Sequence, residues 1–132
     1  RIHGMTQIKT LLPYVETASL TPEGLCFEAI MKDIVNASKG KDSYFVNMCD
    51  GCPYYNDYYG DKAVQHTKAQ VKKMRYEGIK VISYFITSSM ENASQRESGQ
   101  FKSMYGKDSQ FVDTNKITEI ARTMNSKFLE TA

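Results

Sequence analysis

The hydrophobic residues of this chain fall into two patterns that alternate along its length. Residues 43–49 and 80–87 are short, nearly continuous apolar runs, as expected for strands that are buried on both faces of a sheet. In residues 22–38, 61–77 and 115–130 the apolar positions recur every three or four residues, which is the spacing of an amphipathic helix. This alternation predicts an α/β domain in which helices connect parallel strands.

Start and stop signals frame the first of these helices. Thr21 is the predicted N-cap, and Pro22 suits the first helical position. Glu23 follows, where a carboxylate favours the positive end of the helix dipole. The stretch Ser38-Lys39-Gly40 ends the helix. The apolar face follows the helical repeat and consists of Phe27, Ile30, Met31, Ile34 and Val35.

The helix over residues 61–77 has a core stripe and a basic outer face. The stripe consists of Val64, Thr67, Val71 and Met74. The basic side chains between Lys68 and Arg75 are expected to point mainly to solvent, and Gly78 is the predicted C-cap. His66 falls toward the polar side of this helix without an evident acidic or nucleophilic partner, so we expect no catalytic role for it.

The remaining elements are shorter. Residues 88–96 read as a polar loop, residues 101–105 as a short helix that ends at Gly106, and residues 110–112 as a brief third strand. Another short helix is expected near the beginning of the chain, ending at about Leu12 because Pro13 interrupts the pattern.

Polar residues lie at the ends of all three predicted strands. Asp50 and Asp113 come directly after their strands, and Thr87 is the last residue of the run 80–87. Right-handed crossovers would bring the carboxyl ends of the strands to one edge of the sheet, and ligands bind at that edge in open α/β sheets. Functional polar groups are therefore expected there.

Length and composition limit the classes of function. The 132 residues form a single domain, residues 1–132, and the net charge of +2 gives no argument for nucleic acid or for an anionic membrane. No apolar run approaches the ~20 residues of a membrane helix, and no secretory leader is recognised. Three cysteines do not make a disulfide framework, which favours a reducing, cytoplasmic setting.

Asp50-Gly51, directly after a strand, and Thr21, in the turn before a helix, are the sharpest local features. A carboxylate and a hydroxyl are hard oxygen ligands of the kind that Mg²⁺ or Mn²⁺ prefers. Because Mg²⁺ takes six oxygen ligands at about 2.0–2.1 Å, two side chains do not complete a site. Both features also have a purely structural interpretation, since Asp-Gly is common in turns and Thr caps helices.

The order of these motifs resembles the second half of a von Willebrand factor A (vWA) domain. Thr21-Pro22-Glu23-Gly24 is similar to the Thr loop of that family, and residues 45–51 are similar to the strand that ends in its Asp-Gly. Residues 78–82 fit the next strand, and residues 111–113 fit the last one. The resemblance covers roughly residues 20–129 and implies a three-layer α/β/α Rossmann-like parallel sheet.

One part of the family's pattern is missing. The metal-ion-dependent adhesion site (MIDAS) of vWA domains also needs an Asp-x-Ser-x-Ser loop, which belongs upstream of Thr21 and does not occur in this sequence. We therefore expect the chain, which begins at Arg1, to be the C-terminal part of a vWA domain that lacks its first strands. Metal binding would then be weak or absent, and residues 43–49 would leave an apolar sheet edge exposed.

The resemblance implies a non-catalytic, intracellular protein-interaction module. Similar vWA domains work with AAA+ ATPases, such as the vWA-bearing subunits of cobalt and magnesium chelatases, and their metal bridges to a carboxylate of the partner protein. Thr21 and Asp50 would be the metal ligands here. The residues expected to contact the partner lie beside them and are Gly51, Tyr54, Tyr55, Tyr58 and Tyr59. Packing of the tyrosine-rich loop onto the domain is an equal alternative.

Two enzymatic alternatives remain open from the residues alone. Asp50 and Asp113 could hold Mg²⁺ for phosphoryl transfer, although the chain has no Gly-rich phosphate loop. Cys49 and Cys52 form a CxxC pair that could serve redox chemistry or zinc binding. A thioredoxin-like cysteine begins a helix, whereas Cys49 ends a strand, so packed thiols are the simpler interpretation.

Overall fold

The computed structural model of the protein describes residues 20–87, 95–113, 115 and 118–129. In chain order the elements are α1 (Glu23–Ser38), β1 (Tyr44–Cys49), α2 (Gly60–Tyr76), β2 (Lys80–Thr87), α3 (Gln95–Tyr105), a 3-10 turn (Gly106–Asp108), β3 (Ser109–Asp113) and α4 (Thr118–Leu129). The predicted order is confirmed, although α3 begins within the predicted polar loop. The helix expected before Leu12 and residues 88–94 of that loop lie outside the described residues.

The three strands form one parallel sheet in the order β1-β2-β3. Val46 is paired with Ile82, and Phe85 is paired with Phe111. Because each crossover returns the chain to the same end of the sheet, the carboxyl ends of all three strands lie at one edge, as predicted. This edge, called the carboxyl edge below, positions the candidate site.

One face of the sheet is covered by α1, α2 and α3. The side chains buried there include all four residues of the predicted α2 stripe. From α1, Phe27 and Met31 are buried, as predicted. Ile30 was expected on the same apolar face, but it is 42% exposed and lies outside the core. The rest of this cluster comes mainly from β2 and α3 and includes Val81, Phe85, Phe101, Met104 and Tyr105.

The other face carries a smaller cluster. Ile82, Tyr84 and Val112 are buried there, and Met124 of α4 packs against them. The Tyr84 hydroxyl lies 3.2 Å from Thr123 Oγ1, which attaches α4 to the central strand. Helices therefore pack on both faces, and the protein has an α/β fold. None of the helices in the described ranges is long and apolar enough to cross a membrane.

Strand β1 is an edge strand of the sheet as far as the chain is described. Met48 on this strand is 50% exposed, and Val46 is half-buried.

Just after the C-terminal end of α2, Gly78 has a φ of 81° and its N–H donates to Arg75 O over 3.0 Å. This left-handed conformation is the one that glycine adopts most easily, and the helix ends where predicted. The C-cap itself is Glu77, and Gly78 is the residue that follows it.

Candidate functional site

Main-chain hydrogen bonds join the segment before α1 to the loop after β1. The Thr21 N–H donates to Tyr54 O over 2.8 Å, and the Tyr54 N–H donates to Thr21 O over 3.0 Å. Thr21 is not the N-cap of α1, contrary to the prediction. Pro22 occupies that position, and no side chain caps the helix. The prediction was wrong because the backbone of Thr21 is used in pairing with a residue far along the chain.

Asp50 and Gly51 follow β1 at the carboxyl edge, as predicted. Asp50 is exposed and Gly51 is half-buried. Asp113 ends β3, and β2 lies between the two strands. With neighbouring strands about 4.8 Å apart, β1 and β3 lie roughly 10 Å apart across the sheet. The Oδ1 atom of Asp113 accepts hydrogen bonds from the backbone and side-chain nitrogens of Asn115 at 2.8 and 2.9 Å.

The tyrosine-rich loop is an ordered hairpin, called the tyrosine hairpin below (residues 54–59). The Tyr55 N–H donates to Tyr58 O over 2.8 Å, and the Tyr58 N–H donates to Tyr55 O over 2.7 Å. At the turn Asn56 has a φ of 46°, a left-handed conformation that Asn tolerates better than most residues. The loop is thus fixed by its own hydrogen bonds as well as by the pairing with Thr21.

The structure divides the four tyrosines into two groups. Tyr54, Tyr55 and Tyr59 are 51%, 40% and 58% exposed, and the rings of Tyr54 and Tyr59 lie 6.2 Å apart. Tyr58 is only 9% exposed. Three rings are therefore available at the surface beside the carboxyl edge, and the fourth holds the hairpin in place.

Tyr58 anchors the hairpin to α2. Its hydroxyl donates to Ala63 O over 3.2 Å, lies 3.3 Å from Thr67 Oγ1, and is 2.9 Å from His66 Nδ1. The rings of Tyr58 and His66 meet edge to face with centroids 5.5 Å apart. Burial is the main reason that the pKa of Tyr58 is raised, so the hydroxyl keeps its proton.

His66 does have an acidic partner, contrary to the sequence-based expectation. Its Nε2 atom lies 3.5 Å from Glu28 Oε2 and 3.0 Å from Gln70 Nε2. Glu28 belongs to α1, and the contact therefore depends on the packing of two helices. No local sequence signal could have indicated it.

Glu23 is buried and does not act simply as a charge at the helix end. It is 5% exposed, and its Oε1 atom accepts a hydrogen bond from Asn47 Nδ2 over 2.6 Å. The same amide group donates to the Tyr105 hydroxyl over 3.0 Å. Desolvation raises the pKa of Glu23, and nearby Asp50 adds to this effect, although hydrogen bonds, chiefly from Asn47, oppose it.

Sequence reasoning missed this polar cluster of Glu23, Asn47 and Tyr105. One signal was present: Phe45, Asn47 and Cys49 alternate along β1 and so share a face. An amide in the middle of that face needs a buried partner, because an unpaired polar group is costly to bury. The identity of the partner could not be predicted.

The cysteines do not form a disulfide bond. Cys26, Cys49 and Cys52 are all free. Burial, with a further contribution from Glu23, raises the pKa of Cys49 far above its usual range, and burial also raises the pKa of Cys52. The thiolate is the reactive form, so both thiols are poor nucleophiles in this conformation. The Cys52 thiol donates to Gln100 Oε1 over 2.9 Å.

The two predicted ligands fit a magnesium site in kind but not in number. Thr21 and Asp50 offer a hydroxyl and a carboxylate, which are suitable hard ligands. Across residues 20–87, 95–113, 115 and 118–129, no group of three or more His, Cys, Asp or Glu side chains is arranged to hold a metal ion. These two side chains alone would leave most of the coordination positions to water or to another protein.

The chain matches no known protein-family model, no curated protein and no solved structure. Its function is therefore inferred from the residues and the geometry of the site.

Proposed function

We propose that this protein is a vWA-like, Rossmann-type interaction module without catalytic activity, which binds a partner protein at the carboxyl edge of its sheet. The interaction surface consists of Thr21, Asp50 and Gly51 together with the exposed rings of Tyr54, Tyr55 and Tyr59. The observation that carries the proposal is the paired backbone of Thr21 and Tyr54, at 2.8 and 3.0 Å, which brings the two loops together.

The exposed tyrosines support a binding role. Tyrosine combines a large apolar ring with a polar hydroxyl and is enriched at the centres of protein interfaces. The hairpin that carries these rings is held by two internal hydrogen bonds and by the buried Tyr58. A surface that is already ordered loses little conformational entropy when it binds.

In this proposal Thr21 and Asp50 supply two of the ligands of a weakly bound Mg²⁺ ion. When bound, the ion would provide positive charge at the surface for a carboxylate of the partner. Thr21 would contribute its hydroxyl, and Asp50 its exposed carboxylate. Glu23 is not proposed as a ligand, because burial favours its protonated form. By analogy with the vWA domains named above, we propose an AAA+ ATPase in the cytoplasm as the partner.

The metal part of the proposal is tested by titrating the ¹⁵N-labelled protein with MgCl₂ and recording amide chemical shifts. We expect changes centred on Thr21 and Asp50-Gly51, lost in Asp50→Asn and retained in Asp113→Asn. Absence of localised changes would contradict the metal site. Equal loss in both variants, together with Mg²⁺-dependent turnover of a phosphate ester, would favour phosphoryl transfer instead.

The partner part is tested by affinity purification from the cells that produce the protein, in Mg²⁺ and in EDTA. We expect an AAA+ ATPase to be retained in Mg²⁺, released by EDTA and missing with Asp50→Asn. The double variant Tyr54→Ser/Tyr59→Ser should weaken this complex at least tenfold, which corresponds to about 1.4 kcal/mol. Tyr76→Ser is the control, because Tyr76 is 89% exposed at the end of α2. Retention that is indifferent to EDTA, Asp50 and the tyrosines would contradict the proposal.

A further inference from the structure

A groove of about 600 Å³ opens between α1, the first turns of α2 and the turn of the tyrosine hairpin. This volume lies within the range of about 300–1,000 Å³ that is usual for ligand sites. The groove is lined by three separate segments of the chain. Its lining residues are Leu25, Glu28, Tyr55, Asn56, Asp57, Tyr58, Lys62 and His66.

Hydrogen bonds hold two of the lining side chains in place. The Tyr58 hydroxyl forms a hydrogen bond of 2.9 Å with His66 Nδ1. The other ring nitrogen of His66, Nε2, forms a hydrogen bond of 3.0 Å with Gln70 Nε2. The walls present apolar surface, because Leu25 and Tyr55 are 37% and 40% exposed. A bound side chain would therefore meet a preformed apolar surface with an aromatic ring.

The charges around the groove favour a cationic ligand. Glu28 and Asp57 contribute two carboxylates, and Lys62 contributes one ammonium group. The Glu28 side chain is 59% exposed even though it contacts His66. Neither Asp57 nor Lys62 forms an ion pair within the part of the chain that the structure describes. An anion would have to approach two carboxylates, whereas a cation would be opposed by Lys62 alone.

We propose that this groove binds an arginine side chain from an extended segment of a partner protein. A guanidinium group can hydrogen-bond to the carboxylates of Glu28 or Asp57 and stack on the face of Tyr55. Its aliphatic stem would cover Leu25. The identity of the partner rests on the interaction function proposed above, but the chemistry of this subsite requires neither Thr21, Asp50 nor a metal ion.

The proposal is tested by NMR titration in EDTA with the peptide acetyl-Gly-Gly-Arg-Gly-Gly-amide. We expect shift changes confined to the groove, at residues 25, 28, 55–58, 62 and 66. A peptide with citrulline in place of arginine has nearly the same shape without the charge. It should bind roughly tenfold more weakly, because hydrogen bonds between ions are the stronger ones. Equal binding of the two peptides would overturn the proposal.

Charge variants test the same site from the protein side. Glu28→Gln and Asp57→Asn should each weaken binding of the arginine peptide up to about fivefold, as for a partly exposed ion pair. Lys62→Gln should tighten it, since a like charge is removed. Asp33→Asn is the matched control, because Asp33 is an exposed carboxylate of α1 that does not line the groove.

The outcomes separate this inference from the proposed function. Peptide binding should be unchanged in Asp50→Asn, because the groove does not use that carboxylate. Weaker binding in Lys62→Gln would overturn the assignment of a cationic ligand and indicate an anion instead. Failure of the peptide to bind would remove the arginine subsite and leave the Mg²⁺ titration and the AAA+ partner test unaffected.

Discussion

The carboxyl group of Glu23 is buried against β1, where its two oxygens have unequal surroundings. Oε1 accepts a hydrogen bond of 2.6 Å from Asn47, whereas Oε2 is buried and has no hydrogen-bond partner among the described residues. Burial is the largest influence on this group and raises its pKa above the ordinary value of 4.5. The folded protein therefore retains a proton that the unfolded chain gives up more easily.

This shift makes stability depend on pH with a definite sign. Because the pKa is higher in the folded state, the stability associated with Glu23 is fully present below pH 4.5. It is lost as the pH rises through the folded pKa, where the buried group must ionise.

Glu23→Gln removes the ionisation and keeps the shape of the side chain. We expect the variant to be more stable than the wild type at pH 8 by about 1–3 kcal/mol, since it buries no charge. The difference should shrink toward pH 4.5. Urea unfolding across this pH range measures the effect, with Glu77→Gln as an exposed control. A wild-type protein that gains stability relative to Glu23→Gln with rising pH would contradict this interpretation.

The packing of α1 on α2 and the tyrosine hairpin depends on a glycine. A Cβ atom at Gly24 would overlap the Tyr58 hydroxyl and come within 2.7 Å of Thr67 Oγ1 and 3.0 Å of His66 Nδ1. Tyr58 cannot withdraw without losing its hydrogen bond to Ala63. The close approach of these elements therefore requires a residue without a side chain.

Gly24→Ala should destabilise the protein by about 1–3 kcal/mol, because overpacking outweighs the higher helix propensity of alanine. Gly99→Ala is the matched control in α3, where a Cβ atom would meet nothing within 4 Å. The free energy of unfolding of that variant should be higher than that of the wild type by about 0.5–1 kcal/mol. Urea unfolding of both variants provides the measurement. Similar gains in stability at the two positions would show that the contacts around Gly24 can accommodate a Cβ atom.

At the scale of elements, the sequence predicted the strands and the core stripe of α2 because both depend on local spacing. Val64, Thr67, Val71 and Met74 are all buried, as their helical repeat indicated. The role of Thr21 could not be predicted in the same way, because its backbone pairs with Tyr54, which lies 33 positions further along the chain. Local capping preferences do not include such pairing.

The candidate site was only partly predictable for the same reason. The position of Asp50 follows from a strand end and a parallel sheet. The division of the tyrosines into three exposed rings and one buried ring depends on where α1 and α2 pack. The contact between His66 and Glu28 likewise joins two helices, and the sequence around neither residue indicates it.

For the molecule as a whole, the two faces of the sheet contribute unequally to the hydrophobic core. The cluster under α1, α2 and α3 includes Met74, which is fully buried, and buried residues of β1 and β2. Phe111 of β3 packs against it. The described cluster on the other face has three buried residues, and Met124 of α4 is half-buried against them. We therefore expect α4 to open at a lower free energy than the rest of the domain.

Two matched methionine variants test this difference. Met74→Ala should cost about 2–5 kcal/mol and reduce hydrogen-exchange protection throughout β2, because it creates a cavity in the shared core. Met124→Ala should cost less, about 1–2 kcal/mol, and increase exchange mainly in α4. Urea unfolding gives the free energies, and exchange followed by mass spectrometry locates the changes. If Met124→Ala accelerated exchange in β2 as much as Met74→Ala does, the two faces would unfold as one unit and the expected hierarchy would be wrong.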